Sequence, residues 1–364
     1  MSTEQKAYLL LADGTVFEGK AFGAVGEVIG EIVFTTGMTG YLETLTDPSY
    51  FGQIVIQTFP LIGNYGVIPS DFESDKSYVK GYIVRQWCQF PSNFRCEGDI
   101  DTFLKSQGVI GLYDIDTRQL TKIIRESGVM NGIITTINPS ENKDLLLKDI
   151  KQYSVINALK GVSGTQIKSF KSAEGKKHVV LFDYGYKRNI LRSLLAHNCD
   201  VTVVPADTAA EAVIAMKPDG IMLSNGPGDP AENIGVIEQL KKLKKTGIPM
   251  FGICLGHQLL ALASGARTEK LKYGHRGSNQ PVKNLSTKRV YITSQNHGYA
   301  VVNDTLPKDV GEISYINAND GTCEGITYFD APCFSVQFHP EACAGPLDTG
   351  FLFEQFISLM EGDK

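Results

Sequence analysis

The segment Gly252-Ile253-Cys254-Leu255-Gly256-His257-Gln258 sets a thiol between a short apolar run and a helix-forming stretch. It reads as a strand turning sharply into a helix. A cysteine at that corner stands at the strand's end, near the positive end of a helix dipole, where a thiolate is favoured over a thiol. Gly252 and Gly256 lack a Cβ, which lets the turn close and the next element pack tightly. The pattern parallels the nucleophile elbow of serine hydrolases. A free cysteine taken at random is more often a small buried hydrophobe; the flanking glycines and the strand-helix junction reverse that preference.

A sulfur nucleophile needs an imidazole to share and return its proton. Of the six histidines, His178 starts a strand and His197 ends a helix, positions that suit structure or solvation. His257 lies three residues past the cysteine on the same helix and suits packing or hydrogen bonding. His339 differs: it follows the apolar run Phe334–Phe338 and precedes Pro340-Glu341. The proline stops the strand and fixes the chain's exit. Glu341 can accept the ring N–H and hold one tautomer, the third role of a triad. His-Pro-Glu is weak in isolation and strong beside the cysteine elbow. Ser224-Asn225-Gly226-Pro227-Gly228-Asp229-Pro230 is either an ordinary turn or a rigid loop whose amides, with that of Leu255, meet a developing oxyanion.

These residues must be positioned by a scaffold. From His178 onward, apolar strands alternate with helices: strands at 178–182, 200–204, 220–223, 249–253, 289–293 and 334–338, and helices at 187–197, 208–216, 234–245, 255–264 and 350–360. Such alternation predicts a parallel sheet covered on both faces, with the ligand beyond the carboxyl ends of the strands. Thr208 and Glu211 have capping-box spacing. The earlier part reads as mixed α/β: a hairpin at 8–17 turning on Asp13-Gly14, strands at 31–34 and 53–59, a loop from Thr35 to Tyr50, and a helix at 116–127. The polar, glycine-bearing stretch at 157–177 reads as a linker between a domain at 1–156 and one at 178–364.

The chain has 364 residues, 42% hydrophobic and 21% charged, with a formal net charge of -5. That balance fits a globular protein with a large core and lacks the basic surface that nucleic acid requires. The run Lys241–Lys245 is expected to be a solvated helix face. Seven cysteines at scattered spacing, with no C-x-x-C pair, fit reduced thiols rather than a disulfide framework or a zinc site. Met1–Lys6 lacks a signal-peptide layout, and no stretch approaches the roughly 20 apolar residues needed to span a bilayer. A cytoplasmic enzyme is expected, without nucleic-acid or membrane partners.

With these segments assembled, the chain resembles the class I (triad) glutamine amidotransferases. Within them it is similar to the small-subunit family of carbamoyl-phosphate synthetase. The elbow, the 224–230 loop and His339-Pro340-Glu341 carry the first likeness. The second rests on Phe34–Tyr41, Leu45–Tyr50, Asp114–Thr121, Tyr273–Asn279 and Gln295–Ala300.

The resemblance implies an α/β fold: a flavodoxin-like, mostly parallel C-terminal sheet flanked by helices, after a smaller N-terminal domain that contacts the partner. It implies Cys254 as nucleophile, His339 as base and Glu341 as its orienter. Glutamine contacts would come from Ser49, Gly226, Gly228, Leu255, Gln258, Asn296, Gly298 and Tyr299. It implies L-glutamine as substrate and a large-subunit partner that receives ammonia and uses bicarbonate and ATP. No cofactor and no metal are expected in this chain, which has neither a P-loop nor a G-x-G-x-x-G; ATP and Mg belong with the large subunit. The product could serve arginine or pyrimidine synthesis. The chain departs from the family pattern at Cys343-Ala344-Gly345-Pro346-Leu347, where Ser-Pro-Gly-Pro-His is usual, at Gln280 for a common histidine, and at Tyr299 for a frequent phenylalanine. Competing readings are an amidotransferase of another synthetase, a non-catalytic regulatory subunit, and a thiol peptidase.

Overall fold

The computed structural model describes residues 5–362; Met1–Glu4, which carry part of the leader-peptide reading, lie outside the described residues. The chain divides into two units, Met1–Ile156 and Asn157–Lys364.

The first unit contains strands β1 (Lys6–Leu11), β2 (Val16–Gly23), β3 (Val28–Thr35), β4 (Gln53–Gln57), β5 (Leu61–Ile62), β6 (Gly81–Ile83), β7 (Gln86–Trp87), β8 (Ile110–Tyr113) and β9 (Met130–Thr135), and helices α1 (Tyr41–Thr46), α2 (Ile100–Ser106), α3 (Thr117–Ser127) and α4 (Lys143–Gln152). Seven of the strands close into a barrel in the order β1-β2-β8-β6-β4-β3-β9, while β5 and β7 pair separately. Strand alternation sends neighbouring residues to opposite faces. Ile32, Ile54, Ile56 and Ile83 pack in one cluster with Leu120 and Ile124 of α3, whereas Val33, Val55 and Tyr82 join Tyr41, Leu42, Leu45 and Leu104 in another. Closure of the barrel depends on pairings between distant segments and was not legible in the sequence. The expected loop from Thr35 to Tyr50 is helical in part, holding α1 and a 3-10 turn at Pro48–Tyr50. Buried Tyr41, Leu42 and Leu45 explain why, since the segment lays an apolar face on the core.

The second unit contains α5 (Ala158–Val162), β10 (Lys168–Phe170), β11 (Lys177–Asp183), α6 (Arg188–Ala196), β12 (Cys199–Pro205), α7 (Ala210–Ala215), β13 (Gly220–Leu223), α8 (Ile234–Lys244), β14 (Met250–Ile253), α9 (Leu255–Ala263), β15 (Thr268–Asn284), β16 (Val290–Val301), β17 (Gly311–Asn317), β18 (Cys323–Tyr328), β19 (Cys333–Val336) and α10 (Phe351–Glu361). All ten strands form one sheet, ordered β10-β12-β11-β13-β14-β19-β18-β17-β15-β16. Strands β12, β11, β13, β14 and β19 are mutually parallel. Alternation again splits the core. Val180, Phe182, Ile221 and Leu223 face Val213, Leu240, Leu259 and Leu260 of α7, α8 and α9. Val179, Leu181, Met222 and Phe251 face Ile190 and Leu194 of α6 and Phe353 and Phe356 of α10.

Several expectations need correction. The sheet is mostly parallel only in this central part; β10 at one edge and β18, β17, β15 and β16 at the other run antiparallel. Long, polar β15 carries no clean alternation and gave no strand signal. The 157–177 stretch is no bare linker: it contains α5, with Leu159 and Val162 buried, and β10, which pairs with β12. The Thr208–Glu211 capping box does not form. Thr208 Oγ1 donates to the Pro205 carbonyl, and Gln239 of α8 instead accepts from the Ala210 amide at 3.0 Å. In the lysine run, Lys244 is buried, its ammonium 2.8 Å from Asp330 and 4.5 Å from the centre of the Tyr328 ring. All seven cysteines are free. Among the described residues, no helix is long and apolar enough to cross a membrane.

Candidate active site

Three neighbouring parallel strands bring the chemical segments together. In register, β14 runs beside β13 through Leu223 and Gly252, and beside β19 through Ile253 and Val336. Their carboxyl ends therefore release the Ser224–Pro230 loop, the cysteine corner and the His339 segment side by side. The Cys254 amide donates to the Val336 carbonyl at 2.9 Å, and the Gly256 amide to the Ser224 carbonyl at 3.0 Å.

Cys254 is the N-cap of α9, with φ 53 and ψ -104. A non-glycine residue there is strained and must be held by its surroundings. The surroundings are tight. A Cβ on Gly256 would lie 2.3 Å from the Leu223 carbonyl oxygen, and one on Gly226 2.1 Å from that of Tyr184. The corner closes only without those side chains. Cys254 is 2% exposed, and its thiol reaches the Asn296 carbonyl at 3.7 Å.

His339 lies three residues beyond the end of β19, so the strand stops earlier than the sequence implied. Its amide donates to the Ser294 carbonyl, which fixes the backbone. The ring donates through Nδ1 to Glu341 Oε1 at 2.7 Å. Its Nε2 is buried and has no partner of good hydrogen-bond geometry, while the Cys254 sulfur still acts on the ring. Burial and the Lys187 ammonium oppose the imidazolium, yet Glu341 and Cys254 outweigh them and raise His339 to about 9. For Glu341, burial works against the charge, but Lys187 and His339 hold it down at about 2.

Lys187 was missed by the sequence reading. Its side chain is 10% exposed, and its Nζ stands 3.1 Å from Glu341 Oε1. The only available signal was its place in the loop after β11, a further parallel strand ending at the same edge. The loop is tied down by Asn225, which accepts from the Lys187 amide and donates to the Gly185 carbonyl, each at 3.0 Å. Ser224 Oγ accepts from the Tyr184 amide at 3.0 Å. The 224–230 loop and the lysine segment are thus one braced structure.

Among the expected glutamine contacts, Gly226, Gly228, Leu255, Gln258, Asn296, Gly298 and Tyr299 all belong to the second unit. Gln258 Nε2 donates to the Tyr299 carbonyl at 2.7 Å and to Gln337 Oε1 at 2.9 Å, so its amide nitrogen braces the 296–299 segment. Ser49 belongs to the first unit, buried in its 3-10 turn, where its amide donates to Asp47 at 2.9 Å. His257 is buried and bonds Ser335 at 2.8 Å through Nδ1; burial lowers it to about 3, which suits packing rather than proton transfer. His178 bonds Thr202 and His197 bonds the Ser193 carbonyl.

A family model described as the carbamoyl-phosphate synthase small chain, CPSase domain, matches residues 9–134. A second, glutamine amidotransferase class-I, matches residues 180–359. The carbamoyl phosphate synthase small chain of Clostridium perfringens is 52% identical over 354 residues, covering 97% of this chain and 99% of that protein. The protein of the same name from Listeria monocytogenes serotype 4b is 50% identical over 360 residues, covering 99% and 98%. That from Bacillus cereus is 51% identical over 360 residues, covering 99% and 97%.

Proposed function

The chain belongs to the carbamoyl-phosphate synthase small-chain family, and from that premise we propose that Cys254, His339 and Glu341 carry out glutamine hydrolysis through a thioester. The chain is the glutamine-hydrolysing subunit of that synthase. The observation that carries the mechanism is the buried His339–Glu341 pair at 2.7 Å, acting on a cysteine held at a strained elbow.

In this reading the Cys254 sulfur attacks the side-chain carbonyl carbon of glutamine, with His339 holding the thiol proton. The tetrahedral oxyanion is met by the amides of Leu255, the first residue of α9 and so without an intrahelical partner, and of Gly226. Preorganised donors of this kind are worth about 3–4 kcal/mol each. His339 gives its proton to the departing nitrogen, the C–N bond breaks, and ammonia leaves a glutamyl thioester. Water then attacks the thioester carbon as His339 takes its proton. The C–S bond breaks, and glutamate and the thiol are restored. Glu341 keeps the ring in register, and Lys187 keeps Glu341 ionised in a dry setting.

Gly228, Gln258, Asn296, Gly298 and Tyr299, all of the second unit, are the expected contacts for the amino-acid end of glutamine. The parallel order β12-β11-β13-β14-β19 supports reading this sheet as flavodoxin-like, 2-1-3-4-5, an arrangement that sets ligands at the carboxyl edge. The first unit serves the large subunit, which receives the ammonia and, with bicarbonate, ATP and Mg, makes carbamoyl phosphate in the cytoplasm. The direct test is Cys254→Ser assayed with the large subunit. Glutamine-dependent synthesis should collapse while synthesis from added ammonia persists. Retention of both activities removes Cys254 from the chemistry.

A further inference from the structure

Away from the triad, β15, β16 and β18 converge on a buried cluster. His275 and His297 are direct cross-strand partners, their rings edge to face with centroids 5.0 Å apart. Glu324 of β18 is fully buried. Each of the three offers a ligand atom, and these lie within 4.8 Å of one another.

The hydrogen bonds show where lone pairs are left over. His275 Nε2 donates to Asp320 Oδ2 at 2.8 Å, so Nδ1 is the nitrogen that offers a lone pair whenever the ring is neutral. That Nδ1 stands 3.5 Å from Glu324 Oε1, an oxygen that also accepts from Asn317 Nδ2 at 3.2 Å. His297 Nδ1 meets the Tyr299 carbonyl at 2.8 Å and must donate, since a carbonyl only accepts. Its Nε2 therefore presents a lone pair, 3.1 Å from Gln295 Oε1. Glu324 Oε2 is buried without a hydrogen bond. With the His275 ring neutral, two pairs of electron-rich atoms face each other in a dry interior, where unmatched polar groups are costly.

We propose that His275, His297 and Glu324 form a buried structural site for a divalent metal of the zinc class, with the Gln295 amide oxygen as a fourth donor. A tetrahedral ion with bonds of about 2.0–2.2 Å sets its ligands about 3.3–3.6 Å apart; the His275–Glu324 contact at 3.5 Å falls in that range, and the His297–Gln295 contact at 3.1 Å would open slightly around the ion. Two imidazoles with oxygen donors suit zinc or its neighbours rather than calcium or magnesium. Each ring N–H already has the outer partner that metal-bound histidines use, a carboxylate for His275 and a backbone carbonyl for His297. Carboxylates at Glu324 and Asp320 offset the ion's charge. Sequence spacing hid the set because its members are spread over 50 positions and meet only through the antiparallel half of the sheet. Bound there, the ion would pin His297, the neighbour of Asn296 whose carbonyl meets the Cys254 thiol.

The test uses the full chain, stripped with chelator and desalted, then titrated with zinc against a chromophoric competitor and assayed by mass spectrometry for bound metal. About one ion per chain is expected. Asp320→Asn should weaken it about 10- to 100-fold, and Glu324→Gln or His275→Gln by at least as much. Cys254→Ser should bind as the parent does. Cobalt(II) loading of the unaltered chain gives a reading that needs no variant to fold: visible bands of a four-coordinate N/O site without a sulfur charge-transfer band. No stoichiometric binding would mean that a shared proton separates Glu324 and His275, and the proposal fails. It fails equally if Glu324→Gln binds zinc as tightly as the parent, if Cys254→Ser loses the ion, or if cobalt shows sulfur ligation.

Discussion

Lys187 Nζ and His339 Nδ1 meet the same oxygen, Glu341 Oε1, at 3.1 Å and 2.7 Å. One buried carboxylate oxygen is therefore shared by an ammonium and an imidazole. Lys187 lowers Glu341 and, by repulsion, also opposes the charge on His339. The lysine thus favours the charge on Glu341 while opposing the charge that Glu341 favours on His339.

Removing that cation as Lys187→Met should therefore shift two properties. The alkaline limb of kcat/KM for glutamine should move to higher pH, because a charge that lowers His339 is gone. Stability should fall by about 1–3 kcal/mol, the usual scale for losing a hydrogen bond to a charged group. Paired pH–rate profiles and denaturant melts check both. An unmoved alkaline limb would show that Lys187 does not act on the imidazole.

The pH dependence of the buried His339–Glu341 pair has a defined sign. His339 is raised, so the stability that its protonation adds is whole below about pH 6.5 and is lost as the pH climbs through about 9. Glu341 is lowered, so its share is whole above about pH 4.5 and is lost as the pH falls towards about 2. The difference in melting temperature between the parent and Glu341→Gln should thus be greatest at about pH 4.5–6.5 and shrink on either side. A difference independent of pH argues against an ionised pair.

Activity should follow the same coupling. The alkaline limb of glutamine hydrolysis should show an apparent pKa near 9, a property of the coupled site rather than of one residue. In Glu341→Gln it should move down, because the largest influence raising the imidazole has been removed. Rates of glutamine hydrolysis across the pH range give the measurement, and a limb that stays in place contradicts the assignment of Glu341.

The elbow makes a steric prediction. Gly256→Ala drives a methyl to 2.3 Å from the Leu223 carbonyl oxygen. Backbone cannot give way cheaply, so a loss of about 1–3 kcal/mol or more is expected, together with loss of glutamine hydrolysis. Gly235→Ala, in the first turn of α8 with nothing within 4 Å of the added carbon, should instead stabilise by about 0.4–1 kcal/mol. Thermal melts of the two variants side by side separate crowding at the corner from a general effect of replacing glycine.

What the sequence determined by itself was local. Cys254 between glycines, His339 before Pro340-Glu341, and the Gly-Pro loop at 224–230 are short words whose chemistry follows from neighbours in the chain. The central strands were legible for the same reason: β11 and β13 are apolar on both faces because helices cover both. Long-range pairing decided the rest. Only the adjacency of β13, β14 and β19 brings the three words to one edge. Lys187 became part of the site because its loop is braced by Asn225, and Lys244 left solvent because Asp330, Ser264 and Tyr328 surround it. The closed barrel, the antiparallel half of the sheet and the His275–His297–Glu324 cluster arise from contacts between segments far apart in the chain. A residue's own spacing reports which face it shows, not which distant strand it will meet.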